Sequence, residues 1–159
     1  GAGGHKDMVL RLSRKTLFAI EAVLDIAYHS GAEPVQSREI TERQGIPRRY
    51  LEQALQNLVR QGVLVGVRGP RGGYRLARER RRITVGEIVR VVHNAEPDED
   101  EDEADLNSAL GLKVVRPLWS HLQQDIMAQL DEVTIDELCL RANNAGIASE
   151  GRAKLDFSI

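Results

Sequence analysis

Cations and amides, not nucleophiles, carry the chemistry this chain offers. The run Val67-Arg68-Gly69-Pro70-Arg71-Gly72-Gly73-Tyr74-Arg75-Leu76 interleaves arginine with glycine. Glycine lets backbone N–H groups approach a phosphate, and a guanidinium fork can hold that phosphate or reach into a groove. Just upstream, Arg48, Arg49, Tyr50, Glu52, Gln53 and Gln56 crowd one stretch. Arginine can take guanine and glutamine adenine, and tyrosine suits a phosphate. A carboxylate near DNA is repelled unless it accepts from a cytosine amino group. The 4 histidines are scattered, and no phosphate loop, HExxH or nucleophile–base spacing occurs, so the residues do not read as an enzyme's. A plainer reading stays open, in which the glycines only serve a turn and the charges only solvate a surface.

These residues need elements to hold them. Strands at 63–67 and 74–77 flank the Arg/Gly tip, which is hairpin patterning, and the whole wing spans 63–77. Between Gln36 and Gly62 the layout is that of a helix-turn-helix. Ser37 caps a short helix over 38–44 with Ile40 inward, and Gly45 supplies a left-handed stop. Pro47 then opens a second helix over 47–61 at its first position. Leu51, Leu55, Leu58 and Val59 make its buried stripe, so Arg48, Arg49, Tyr50, Gln53 and Gln56 point away from it. Such a helix presents its N-terminal residues to the major groove.

An earlier helix follows Ser13 as cap and covers 14–29. Leu17, Ile20, Leu24 and Ala27 form its inner face, with Phe18, Val23 and Tyr28 alongside. Arg11, Arg14 and Lys15 either touch phosphates or are simply solvated. After the wing, the basic connector 78–82 reaches toward flanking duplex, and Thr84 with Glu87 forms a capping box. That box opens a helix carrying Val85, Ile88, Val89 and Val92 and ending near Asn94.

Net charge conceals the electrostatic pattern. The 159 residues sum to −2, yet residues 11–82 hold 15 Lys and Arg against 7 Asp and Glu, while residues 83–159 hold 6 against 16. A basic first half is what a DNA reader needs, and the acidic half must face elsewhere. A hydrophobic content of 42% suffices for one moderate core or a small domain plus an extended helix. The single cysteine excludes an intrachain disulfide and a Cys-rich zinc finger, which fits a reducing cytoplasm. No apolar stretch approaches the roughly 18 residues of a membrane span.

The expected organisation is mainly α with a small β-hairpin wing. Residues 1–9 are an expression remnant and start. A winged helix-turn-helix domain covers 10–94, an acidic loop 95–112, dimerisation helices 113–142 and a flexible tail 143–159. Within the acidic loop, seven of the eight positions 98–105 are acids. Solvated chain is the simplest account, because contiguous like charges resist converging on a divalent ion. From 113 to 130 a helix pattern places Val115, Leu118, Trp119, Leu122, Ile126 and Leu130 on one stripe, widened by Val114 and Met127. Either this stripe folds back on its own domain or it meets a second copy. A two-fold, coiled-coil-like dimer would set two recognition helices roughly 34 Å apart on a near-palindromic site. Thr134 and Glu137 repeat the capping box, giving a helix over 135–141 that braces the dimer.

With these motifs the chain resembles the Rrf-type bacterial transcription regulators, which include the IscR, NsrR and CymR types. The resemblance spans about 10–140. It rests on Leu12-Ser13-Arg14-Lys15, Ile46-Pro47-Arg48-Arg49-Tyr50-Leu51-Glu52-Gln53, the wing run and Val85-Gly86-Glu87-Ile88. It implies a homodimeric winged-helix DNA-binding repressor. By position it carries base or backbone contact to Arg49, Tyr50, Glu52 and Gln53, and groove contact to Arg68, Gly69 and Pro70. Arg71 stands where the family commonly has glycine and adds a phosphate or minor-groove contact.

Cluster-binding members carry three cysteines ahead of the dimer helix, because thiolates hold iron–sulfur clusters. This chain has acids there, so no cofactor, and no iron–sulfur cluster in particular, is expected. Cys139 is read either as a buried, inert thiol or as a sensor of oxidant, which would need an exposed, electropositive setting. Metal held by paired cysteines with His93, His121 or a carboxylate has no spacing in its favour. The resulting expectation is a dimeric, cytoplasmic, sequence-specific DNA-binding repressor. The alternatives are a cluster-free interaction module for a partner enzyme, or a thiol- or metal-responsive sensor acting through Cys139.

Overall fold

The structure, a computed structural model, describes residues 13–95 and 107–151. The acidic positions 98–105, Arg11 and the start of the chain lie outside the described residues. Among the described residues, six α-helices and one hairpin follow in the order α1 (Arg14–His29), α2 (Ser37–Gln44), α3 (Arg48–Arg60), β1 (Leu64–Val67), β2 (Gly73–Leu76), α4 (Val85–Ala95), α5 (Arg116–Glu132) and α6 (Ile135–Asn144). The central helix is α1, which packs against α2, α3, α4 and α6. This is the mainly helical, winged architecture expected from the sequence.

Ser13 caps α1 by accepting the Thr16 N–H at 3.3 Å. The helix buries a different face from the one its large residues suggest. Ala19, Ala22, Val23 and Ile26 are fully buried, whereas Leu17 is 47% exposed. With helices on several sides of α1, small side chains at the closest crossings let the backbones approach, and the bulky Leu17 is left at the rim. One turn further along, the Asp25 side chain is completely buried. Its Oδ2 and Oδ1 accept from Arg43 Nε and Nη2 at 2.9 and 2.8 Å, and Oδ2 also accepts from Gln44 Nε2 at 2.8 Å. Full pairing of a buried charge is what makes its burial tolerable. The bond from Asp25 holds the Arg43 guanidinium pKa above its usual value.

The helix-turn-helix begins one residue earlier than expected. Gln36, not Ser37, is the cap, and its N–H donates to Glu39 Oε2 at 2.8 Å. Gly45 closes α2 at φ +67°, donating to the Thr41 carbonyl at 2.9 Å. Pro47 likewise sits just outside α3, and its carbonyl receives the Leu51 N–H at 3.1 Å. Leu51, Leu55 and Leu58 are fully buried beside Ile40 and Ile46, but Val59 is 37% exposed and belongs to the outer surface.

Two paired connections bind the second half of the chain to the first. The Val85 N–H donates to the Val133 carbonyl and the Ile135 N–H to the Ile83 carbonyl, both at 2.9 Å. Ile135 and Cys139 of α6 thereby enter the same apolar cluster as α1. Thr84 and Thr134 cap α4 and α6 through the Glu87 and Glu137 N–H groups at 3.2 and 3.1 Å. The Glu87 carboxylate does not close a reciprocal box; it is held by Arg78 at 2.5 Å. A π-helical turn, Gly111–Val115, precedes α5. Pro117, in the first turn of α5, cannot donate to a carbonyl four residues back, and the wider turn absorbs that gap.

The tail is not free where it is described. The Tyr28 hydroxyl donates to the Ile147 carbonyl, Ser149 Oγ donates to the Tyr28 carbonyl at 2.7 Å, and Arg43 pairs with Glu150 at 2.7 Å. Residues 145–151 therefore strap the end of α1, where small polar composition had suggested flexible chain. The Glu150 N–H donates to His29 Nδ1 at 3.1 Å, which requires a neutral imidazole. Burial, reinforced by the Arg43 charge, pulls the His29 pKa below 6.5 despite the Asp25 and Glu150 carboxylates.

An unfolded chain therefore takes up this proton first. The stability contributed by His29 is complete above its unfolded value of 6.5 and is lost as pH falls through the lower native one. Melting temperature should fall more steeply between about pH 7 and pH 5 in the wild type than in His29→Gln, whose side chain keeps an acceptor. Equal slopes would reject this role.

Candidate nucleic-acid interface

The exposed side of α3 is divided into two rows by helical spacing. Arg48, Glu52 and Gln56 form one, and Arg49, Gln53 and Asn57 the other. In the first row Glu52 Oε1 accepts from Arg48 Nε at 2.9 Å, both side chains being largely in solvent. The carboxylate that looked out of place beside DNA thus has a local cation. In the second row the Arg49 guanidinium lies 4.7 Å above the centre of the Tyr50 ring and donates to its hydroxyl at 2.9 Å. Tyr50 in turn leans on Phe18 of α1, with ring centres 5.9 Å apart. It is therefore half-buried and fixed, where Arg49 and Gln53 are exposed. Stacking on a planar ring preorganises a guanidinium for a planar or anionic partner.

Behind this second row is a cavity of about 460 Å³ bounded by α1, α3 and α4. Gln53 and Asn57 line it with Tyr50, and Lys15 reaches it from the start of α1. Asn57 was not singled out in the sequence, although its spacing of four from Gln53 places it on the same face.

The wing forms as an antiparallel pair with Leu64 opposite Leu76 and Val67 opposite Gly73. A third strand-like segment joins it: the Val35 N–H donates to the Tyr74 carbonyl at 3.0 Å, and the Tyr74 N–H returns to the Val35 carbonyl at 2.8 Å. At the tip the Gly72 N–H donates to the Gly69 carbonyl at 2.9 Å, making a turn with Pro70 at its second position. Gly69 has φ +109°, open only to glycine at low cost.

The two following glycines serve a different end from phosphate approach. A Cβ on Gly72 would lie 2.2 Å from the Val67 carbonyl oxygen, and one on Gly73 2.4 Å from that of Val35. They allow the wing to fold onto itself and onto Val35. The exposed cations at the tip are Arg68 and Arg71. Arg71 is 3.5 Å from Glu33, while Arg68 pairs with no acidic side chain among the described residues.

The basic connector is more engaged than its sequence suggests. Arg78 binds Glu87, Arg80 binds Asp136 at 2.7 Å and Arg81 binds Glu79 at 2.6 Å. These pairs draw charge into the protein instead of toward a duplex. Arg14 and Lys15 are exposed at the start of α1, and Lys15 lines the cavity beside α3.

Of the stripe assigned to dimerisation, Val115, Leu118, Trp119, Leu122 and Ile126 are all exposed. Leu130 is the exception. It is half-buried and packs with Met127 against Val85 and Val89 of α4, so it serves the chain's own core. Asp131 clamps the same joint through both oxygens to Arg90 at 2.5 and 2.7 Å, which holds its carboxyl pKa below the usual value. Cys139 is 2% exposed, and burial raises its thiol pKa against the opposing pull of Arg80. This is the setting of a packing residue, not the exposed, electropositive one a thiol sensor needs.

A recognition helix held by a helix-turn-helix, flanked by a cationic hairpin, defines a winged-helix DNA-binding protein. The model of the Rrf2 family, described as iron-dependent transcriptional regulators, matches residues 12–141. The chain belongs to that family. It is similar to the HTH-type transcriptional regulator IscR of Photobacterium profundum, 37% identical over 136 residues that cover 85% of this chain and 78% of that one. Among solved structures it is similar to T. potens IscR, with a TM-score of 0.70, 35% identity and coverage of 91% and 96%. It is also similar to CymR, the global cysteine regulator of B. subtilis, with a TM-score of 0.65, 28% identity and coverage of 84% and 98%. These relatives are regulators, not enzymes, and the chain is a transcriptional regulator of the same kind.

The family description raises iron, so the donor set matters. A thiolate-held cluster needs several cysteines, and the chain has one, buried in its core. Among the described residues no three His, Cys, Asp or Glu side chains gather as a metal site. The residues do not fit such a cluster. Among the described residues, too, no helix is long and apolar enough to cross a membrane.

Crowding of the wing is directly testable. Gly73→Ala should lower stability by about 1–3 kcal/mol, the usual range for overpacking. Gly66→Ala, with open space around it, should be close to neutral in the same thermal melts. A neutral Gly73→Ala would mean that the Val35 junction is not built as described.

Proposed function

We propose that this regulator is a homodimeric repressor that binds a near-palindromic duplex, placing α3 in the major groove and the wing beside it. The observation that carries the DNA reading is the joint presentation of two α3 rows and of Arg68, which pairs with no acid among the described residues. Arg49, Glu52, Gln53 and Gln56 read bases, with Arg48 next to Glu52 modulating its charge. Tyr50, Gly69, Pro70 and Arg71 hold backbone or groove. The exposed α5 row of Val115, Leu118, Trp119, Leu122 and Ile126 supports pairing with a second copy, since monomers rarely leave so large an apolar helix face in water. Repression follows from the family resemblance and simple occlusion of a promoter. With one buried cysteine, the reading excludes a thiolate-ligated cluster as the signal receiver.

A second function, docking of a partner enzyme, finds its support in the acid-rich half of the chain. It is compatible with DNA binding and adds a partner without replacing the duplex.

Selection of bound fragments from random duplex tests the first reading. Arg68→Ala should weaken binding to all selected sequences and reduce the salt slope by about one. Gln53→Ala should lose about 1–3 kcal/mol only on the preferred base and relax selectivity there. Uniform loss across sequences for both variants, or no enrichment of any fragment, would overturn it.

A further inference from the structure

Two arginines open α3, and the fold treats them differently. Arg48 is matched by the Glu52 carboxylate one turn on, at 2.9 Å. Arg49 has no acidic partner among the described residues. Its guanidinium lies 4.7 Å over the centre of the Tyr50 ring, and Nη2 donates to the Tyr50 hydroxyl at 2.9 Å. A guanidinium has five N–H donors, so the others remain for a ligand while two contacts to one residue restrict where they point. The ring beneath is itself held. Tyr50 is half-buried, packs on the main apolar cluster and leans on Phe18, with ring centres 5.9 Å apart and planes inclined at 31°. Phe18 belongs to α1 and packs on the same cluster. The stack thus runs from the core through Phe18 and Tyr50 to an exposed guanidinium at the N-terminal end of α3.

We propose that Phe18 and Tyr50 are positioning residues that aim the Arg49 guanidinium at a guanine, so that a side chain of α1 sets base preference on α3. A free arginine loses rotamer freedom on binding whatever its partner is. A fork already held loses less, and it favours only an acceptor pair that lies in its path. In the major groove the matching pair is N7 and O6 of guanine. A phosphate accepts a cation from many directions and gains little from such restraint. The Tyr50 hydroxyl accepts from Arg49 through its oxygen, which leaves its own hydrogen for a phosphate, so aiming Arg49 and holding the DNA backbone are compatible roles. The inference rests on the base-reading role of Arg49 proposed above and adds what gives that arginine its selectivity.

The test is the equilibrium affinity of the full chain for a selected duplex and for every single-base variant of it. Arg49→Ala identifies the base concerned, as the guanine at which preference disappears. Phe18→Leu keeps apolar volume and removes the ring. It should lower the preference for that guanine by about tenfold, while affinity for duplexes already lacking it changes by less than about twofold. Phe18→Tyr, which keeps the ring, should retain the preference. Tyr50→Phe keeps the ring contacts and loses only the hydroxyl, so it should lower preference at the same base, and it provides the test even where Phe18→Leu does not fold. A merely structural Phe18 predicts equal weakening on all duplexes. That result, or an undiminished guanine preference in Phe18→Leu and Tyr50→Phe, would overturn the positioning role and leave Arg49 as a base reader. If Arg49→Ala removes no guanine preference, the base-reading role of Arg49 falls as well.

Discussion

A helix packed on the edge of a small domain can hide one stripe of its surface, and α5 carries two adjoining ones. Met127 and Leu130 turn toward α4 and pack there on Val85 and Val89, and Gln123, one turn earlier, is buried as well. In the neighbouring row that runs through Leu118, Trp119, Leu122 and Ile126, each member is left exposed. Water around such a row is costly, and the cost is removed only by another apolar surface. The Arg90–Asp131 clamp and the paired connections beside Val85 and Ile135 prevent α5 from rotating to bury the second row instead of the first. Rigid attachment therefore leaves the helix as a projecting seam.

The same logic of fixed attachment governs the reading surface. α3 is anchored by Leu51, Leu55 and Leu58, all at or near zero exposure, so its polar rows have one orientation relative to α1. Tyr50, leaning on Phe18, carries that rigidity out to Arg49. The wing is tied to Val35 by two backbone bonds, which sets the direction of Arg68 against α3. Asp25, on the buried face of α1, welds the end of α2 in place through Arg43 and Gln44, and Arg43 extends the weld to Glu150. Recognition chemistry here is the product of packing that leaves few side chains free to wander.

Much of this was legible in the residues. Helices α1 to α4 and the hairpin follow from capping residues, glycine stops and leucine spacing, with ends displaced by about one residue, as helix termini commonly are. The α3 and wing residues stand out because arginine, glutamine and glycine cluster where a buried stripe is also plain. What sequence patterning missed is tertiary in origin. Leu17 looks like core and is not, because helix crossings at Ala19 and Ala22 decide which face of α1 is inside. The strap at residues 145–151 carries no apolar period; its affinity for α1 comes from single hydrogen bonds to Tyr28 and His29. From composition alone Gly72 and Gly73 read as letting backbone N–H groups approach a phosphate, and only the nearness of the Val67 and Val35 carbonyls shows their steric role. The cavity behind α3 combines residues from three helices, and no local motif marks it.

The account stands or falls on whether a second copy covers the α5 seam. Trp119 is the sole tryptophan and sits on that seam, 58% exposed in the single chain, so its fluorescence reports the covering directly. Sedimentation equilibrium with iodide quenching of Trp119 on the same samples is the decisive measurement. A dimer at micromolar concentration with Trp119 shielded, becoming quenchable only as dilution separates the chains, is the predicted result. A monomer with a freely quenched Trp119 that nonetheless binds its duplex at full affinity would contradict it.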